Sequence, residues 1–217
     1  GIKAASGKKI CFIDGYASDN WVDTISKVNN DDTYIVAGKI IIEIMESSSI
    51  YELYDSIFNL DNEKIIRRYH RAPTGNLVIP KKAFEELGYF NENIRSGGDM
   101  IFTSLAYSHG YKIIYNQNQI SYYYARKKEA IIKKQIRISK GQINIWKSEN
   151  KFIKYLLKSI IKMFIFNNPI KIFSYIEKRK TIKISFSKKF HLYFIHEKMK
   201  YIMIFSNIIE SIKLLGK

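Results

Sequence analysis

Ser96-Gly97-Gly98-Asp99-Met100-Ile101-Phe102 decides how this chain reads, together with the downstream run to Gly110-Tyr111-Lys112. Two glycines permit a tight turn or a close approach to a ligand. A carboxylate comes next. Ile101, Phe102, Leu105 and Ala106 then recur at helical spacing, which predicts a helix with Asp99 at or near its N-cap. His109-Gly110 closes that helix, with Gly110 as its C′ residue. Lys112-Ile113-Ile114-Tyr115 reads as a buried strand. A carboxylate in this place either caps its helix or points into a cleft as a reactive group.

Working outward, the upstream chain alternates short strands with helices. Lys9-Ile10-Cys11-Phe12-Ile13 reads as a buried strand ending at Asp14-Gly15, with Cys11 as a buried thiol. Open α/β sheets place ligand chemistry at such strand ends. A helix is expected from Trp21, strands over 33–38 and 39–44, and an amphipathic helix over 49–60. Arg67-Arg68-Tyr69-His70-Arg71 reads as a solvated basic loop. Ala72-Pro73-Thr74-Gly75-Asn76 is a turn by composition. Leu77-Val78-Ile79 is a strand, and 80–88 a short helix opened by Pro80 and closed by Gly88. The Tyr122-Tyr123-Tyr124 run reads as strand filling with alternating burial.

Beyond Arg126 the strand signals fade and the charge changes. Residues 1–126 hold 14 Lys and Arg against 15 Asp and Glu, whereas residues 127–217 hold 22 against 5. The net charge of +16 therefore belongs to the C-terminal part and points to an anionic partner, a membrane surface or a nucleic acid. Helices are expected over 127–146, 151–166 and 191–215, with Asn167-Asn168-Pro169 as a breaker and weak alternation over 181–186. In 151–166, Lys151, Lys154, Lys158 and Lys162 share one stripe. Phe152, Tyr155, Leu156, Ile160, Met163 and Phe164 fill much of the rest. Such a helix packs on its own domain or lies in a membrane interface. A nucleic-acid arm would carry less Ile, Leu and Phe, so lipid or self-packing is the better reading. No window of 18 residues is apolar and free of charge, so no transmembrane helix is expected. The single cysteine excludes an internal disulfide. The first seven residues lack an apolar h-region and read like the end of a helix, so the chain is expected to begin within a domain.

Several of these stretches together resemble family 2 glycosyltransferases of the GT-A fold. Ile10-Cys11-Phe12-Ile13-Asp14 resembles the approach to that family's DxD motif, and Trp21 falls where the family often has Trp. Thr74-Gly75-Asn76-Leu77, Lys82, Phe84, Leu87-Gly88 and Phe90 are similar to its central stretch. Ser96-Gly97-Gly98-Asp99 with Phe102 resembles its acidic motif. Gly110-Tyr111-Lys112, Tyr115 and Ala125-Arg126 resemble the segment on the C-terminal side of that motif. The similarity spans residues 1–126, or to about Gly141 if Arg137 and Gly141 are counted. It implies a partial GT-A (Rossmann-like) α/β sheet with flanking helices over 1–126, lacking the nucleotide-binding half, and then a basic, mostly helical extension over 127–217.

The activity implied is transfer of a sugar from a nucleotide-diphosphate sugar to a hydroxyl of a surface polysaccharide or lipid-linked glycan, with inversion. By the resemblance Asp99 is the general base, and Asp14 sits at the diphosphate with a divalent cation, Mg²⁺ or Mn²⁺. Thr74, Gly75, Asn76, Gly97, Gly98 and Arg126 line the substrate side. Two likely ligand positions depart from the family pattern, because they hold Tyr16 and Tyr123, and a phenol is a poor ligand for such a cation. The place implied is the cytoplasmic, inner face of a membrane, held by the basic helices on anionic lipid. The alternatives are a degenerate, non-catalytic binding or scaffold relative, and a nucleic-acid binder acting through the basic part.

Overall fold

The computed structural model describes residues 1–26 and 32–215. The protein is mixed α/β, with a five-stranded sheet and flanking helices. It divides into two compact units. The first comprises Gly1–Glu43, Leu60–Asn93 and Gly98–Tyr124, and the second Ile44–Asn59, Ile94–Gly97 and Ala125–Lys217.

The first unit holds the sheet. Its strands are β1 (Lys9–Ile13), β2 (Tyr16–Ala17), β3 (Tyr34–Glu43), β4 (Asn76–Pro80) and β5 (Lys112–Tyr124), in the order β1-β4-β3-β5-β2. β4 runs antiparallel to both β1 and β3, β3 runs parallel to β5, and β2 is antiparallel to β5. The helices of this unit are α1 (Trp21–Ser26), α3 (Asn62–Tyr69), α4 (Lys81–Leu87) and α5 (Gly98–Ser108). One core cluster joins Ile35, Leu77 and Ile79 of the sheet to Phe84 of α4 and Phe102 and Ala106 of α5. A second, smaller one gathers Trp21, Val36 and Val78.

Several expectations change. The strand at 9–13 forms, but it lies at the edge of the sheet and only Ile10 is buried. Cys11 is therefore exposed, not a buried thiol, because alternate residues of an edge strand face water. The two strands expected over 33–38 and 39–44 are one continuous strand, with its register broken between Gly38 and Lys39. Arg67 and Arg68 are not in a loop. They occupy the last turn of α3, where cations suit the helix dipole, and His70 ends that helix in the left-handed conformation at φ 50°. The helix 98–108 closes as expected: Gly110 has φ +92°, its N–H reaches the Tyr107 carbonyl, and the Tyr111 N–H reaches Ala106, a Schellman closure.

The second unit is helical: α2 (Ile50–Phe58), α6 (Lys128–Ser148), α7 (Phe152–Ile161), α8 (Pro169–Arg179) and α9 (Phe186–Leu215). α2 is opened by a capping box between Ser49 and Glu52. Its Leu53, Tyr54 and Ile57 pack with Ile131, Ile176, Leu192 and Met199. α7 is shorter than expected and passes into a 3-10 turn over Lys162–Phe164. The breaker at 167–169 also starts a helix, with Asn168 capping α8 and Pro169 at its first position. Residues 181–185 form no strand. No helix among the described residues is long and apolar enough to cross a membrane.

Candidate functional site

Asp99 lies in the first turn of α5, which starts at Gly98, two residues before the start that an N-cap at Asp99 gives. Its carboxylate does more than cap its own helix. Oδ2 accepts the Thr74 N–H at 3.0 Å and the Thr74 hydroxyl at 3.3 Å, while Oδ1 accepts the Met100 N–H at 2.8 Å. A carboxylate offers about four acceptor positions, so one is left on Oδ1. Asp99 is half-buried. The turn that holds it is itself pinned to α5. The fully buried Thr103 hydroxyl accepts the Ala72 N–H at 3.0 Å and donates to the Asp99 carbonyl at 2.9 Å. Sequence reading missed Thr103. The signal was a hydroxyl four residues after Asp99, beside the apolar positions of α5.

The same turn meets Asp14. The Asp14 N–H donates to the Gly75 carbonyl at 3.0 Å, and the Tyr123 hydroxyl donates to that carbonyl at 3.2 Å. Gly75 is buried, and a Cβ there would lie 2.8 Å from the Tyr123 hydroxyl. Gly15 has φ +82°, and a Cβ on it would overlap the Tyr122 carbonyl oxygen. Asp14, Thr74, Gly75, Gly98 and Asp99 thus all belong to the first unit, and the Thr74-Gly75 turn touches both acids, one through its backbone and the other through its carboxylate.

Tyr16 pairs with Tyr122 across β2 and β5, their rings stacked at 5.3 Å, and Tyr124 lies 6.1 Å from Tyr16. The hydrogen bond between Tyr16 and Glu43, with some burial, pushes the phenol up to about 12. It stays protonated at neutral pH and bound to Glu43, while Tyr123 is spent on Gly75. Among the described residues no three of His, Cys, Asp and Glu gather where they could hold a metal ion. No step of the chemistry assigned to this site runs through a metal ion.

Asn76 serves the sheet. It is fully buried, and its amide uses both donors and accepts twice: Nδ2 donates to the Lys39 carbonyl at 2.9 Å and the Gln119 carbonyl at 2.8 Å, and Oδ1 accepts Trp21 Nε1 at 3.0 Å and Gln119 Nε2 at 2.8 Å. These bonds bridge the register break in β3, where a Cβ on Gly38 would collide with Asn76 and Gln119. The remaining two residues chosen from sequence lie in the second unit. Gly97, at φ +88°, sits on Gly141 and Ile145 of α6. Gly141 in turn has no room for a Cβ beside Ser96. Arg126 donates its N–H at 3.0 Å and a guanidinium N–H at 3.3 Å to Asp55, a fully buried carboxylate that also accepts Asn59. Sequence reading missed Asp55, which falls inside an otherwise apolar helical stripe. His70 and His109 are exposed, and His70 stacks on Tyr107.

No family model matches the chain. It is similar to a protein described as glycosyltransferase AglE of Haloferax volcanii, at 30% identity over 149 residues. The match takes in 67% of this chain and 49% of the relative, so the chain spans about half the length of the curated relative it matches. The similarity supports a glycosyltransferase-related family.

Proposed function

Starting from that relationship, we propose that the chain carries the acceptor side of a glycosyltransferase, of the family 2 type, with Asp99 as its general base. The observation that carries the reading is the Asp99 carboxylate. Three protein donors hold it in place and one acceptor position remains on Oδ1. That position takes the proton of an acceptor hydroxyl, on a glycan or lipid-linked saccharide. The hydroxyl oxygen forms a bond to the anomeric carbon of a nucleotide-diphosphate sugar. The bond from that carbon to the diphosphate oxygen breaks, and its electron pair leaves with the diphosphate. Attack opposite the leaving group inverts the anomeric centre. Thr74 orients the base, Gly98 starts its helix, and Gly75 keeps the turn open. The donor's diphosphate is assigned to the side of the turn that carries Asp14.

The test is sugar transfer by the intact protein against a panel of nucleotide sugars, with wild type and Asp99→Asn compared. The variant keeps the size and most of the hydrogen bonds of the side chain but removes the base, and turnover is expected to fall by about 10²–10⁴. Unchanged turnover removes Asp99 as base. One observation favours a second reading, a non-catalytic binding protein: the phenols of Tyr16 and Tyr123 are occupied where a transferase would use metal ligands. Nucleotide-sugar binding without transfer, measured by calorimetry, supports that reading instead.

A further inference from the structure

Three consecutive large apolar side chains stand in solvent on the second unit. Phe164, Ile165 and Phe166 are 81%, 58% and 68% exposed. Surface loops rarely present such a run. Ile161 and Leu157 on the outer side of α7 and Ile170 at the start of α8 are also exposed. Among them lie exposed lysines, Lys154, Lys158, Lys162 and Lys171, and α7 itself has no acidic residue.

The knuckle is built, not loose. Side chains of α9 take up its main-chain groups from beneath. The Tyr201 hydroxyl donates to the Met163 carbonyl at 3.1 Å, Lys200 Nζ to the Ile165 carbonyl at 2.8 Å, and the Tyr193 hydroxyl to the Asn167 carbonyl at 3.0 Å. Glu197, only 4% exposed, accepts the Asn167 N–H at 3.1 Å and also bonds the Asn167 amide and Lys200. Every one of these bonds faces the helix, and the apolar side chains face outward. That is what entry into hydrocarbon demands, because no water is present there to satisfy a backbone carbonyl left without a partner. An ordinary solvated loop needs no such support, since water would satisfy the same groups.

We propose that the 157–170 segment is a membrane-docking knuckle, with Phe164, Ile165 and Phe166 entering the interface of an anionic bilayer while Lys154, Lys158, Lys162 and Lys171 meet the headgroup phosphates. Charge selects the occupant. A protein partner or a second copy would have to answer both the apolar knuckle and the surrounding lysines, and the second unit, with few acids, offers a second copy mostly like charge. An anionic bilayer supplies both complements at once. The segment lies on the surface of the interface and does not span it. The proposal is independent of Asp99, and sugar transfer is not part of its test.

The experiment is flotation of the intact chain with vesicles of phosphatidylcholine alone or of phosphatidylcholine with phosphatidylglycerol. Wild type is expected to float with the anionic vesicles and to lose binding as salt rises. Phe164→Ser/Phe166→Ser alters only exposed side chains, so its melting temperature is expected to match wild type, while its partitioning falls at least about tenfold. Lys154→Glu/Lys158→Glu is expected to lose the preference for anionic vesicles. Equal binding to neutral vesicles, or full binding by the folded double serine variant, overturns the proposal. So does an apparent size that falls on the serine substitutions when wild type ignores vesicles, since the knuckle would then be a self-association contact.

Discussion

Replacing Asn76 by Ala separates a residue of the sheet from a residue of the binding cleft. The side chain is fully buried and makes four hydrogen bonds, with the Trp21 indole, the Lys39 carbonyl, and both the carbonyl and the side-chain amide of Gln119. Trp21 and Gln119 are buried as well, so water does not reach their three groups, whereas the Lys39 carbonyl is only partly buried and water takes the place of the amide there. Each orphaned buried donor or acceptor costs about 1–3 kcal/mol, which at the lower figure gives about 3 kcal/mol for the three. For a protein of this size that is a fall in melting temperature of about 6–12 °C. The assay is thermal and urea unfolding followed by circular dichroism, beside nucleotide-sugar affinity measured well below the variant's transition. The structure predicts a large loss of stability with affinity little changed in the molecules that remain folded. A variant that melts with wild type but binds donor or acceptor weakly would refute the reasoning. It would mean that the amide's real partner is a ligand.

Two further outcomes rest on particular residues. Gly15→Ala and Gly88→Ala both place a methyl group at positive φ, +82° and +86°, but only at Gly15 does the new Cβ meet another backbone, while at Gly88 nothing lies near. Gly15→Ala is expected to cost at least about 1 kcal/mol more in urea unfolding, and equal costs would show that the turn yields. For Glu197, burial raises the carboxyl's pKa, but the bonds from Lys200 and Asn167 outweigh it and hold the group below its ordinary 4.5. Its contribution is therefore fully present above that value and is lost as pH falls through the lower folded value. Urea midpoints from pH 7 to pH 3 are expected to drop more steeply for wild type than for Glu197→Gln. Parallel profiles would remove Glu197 as the anchor of the 163–167 turn.

Local signals were enough for much of the fold. The short helix between Pro80 and Gly88, the Gly110 closure of α5, the amphipathic stripe of α2 and the strand that ends before Asp14 all rest on spacing and on residues with one preferred backbone geometry, so they were legible directly. The position of β1 at the sheet edge was not, because a five-residue apolar run looks alike in the centre and at the rim, and so Cys11 read as buried. Nor was the fate of Arg67 and Arg68. Their charge suits a loop and the last turn of a helix equally, and only the neighbouring elements decide.

The candidate site divides in the same way. Sequence alone determined that Asp14 and Asp99 adjoin glycines at the ends of short strands or helices, since glycine and carboxylate pairs are readable one residue at a time. It also determined that the basic charge belongs to the helical part. Only the tertiary structure decided that one turn, Thr74-Gly75, meets both acids, that Thr103 fastens it, that Asn76 and Arg126 are held by buried protein partners, and that Phe164, Ile165 and Phe166 stand in solvent on a satisfied backbone. The physical reason is that hydrogen-bond partners tens of residues apart leave no periodicity in the chain. A buried donor takes whichever acceptor the packing brings within reach, and that pairing exists only once the sheet and helices have closed around it.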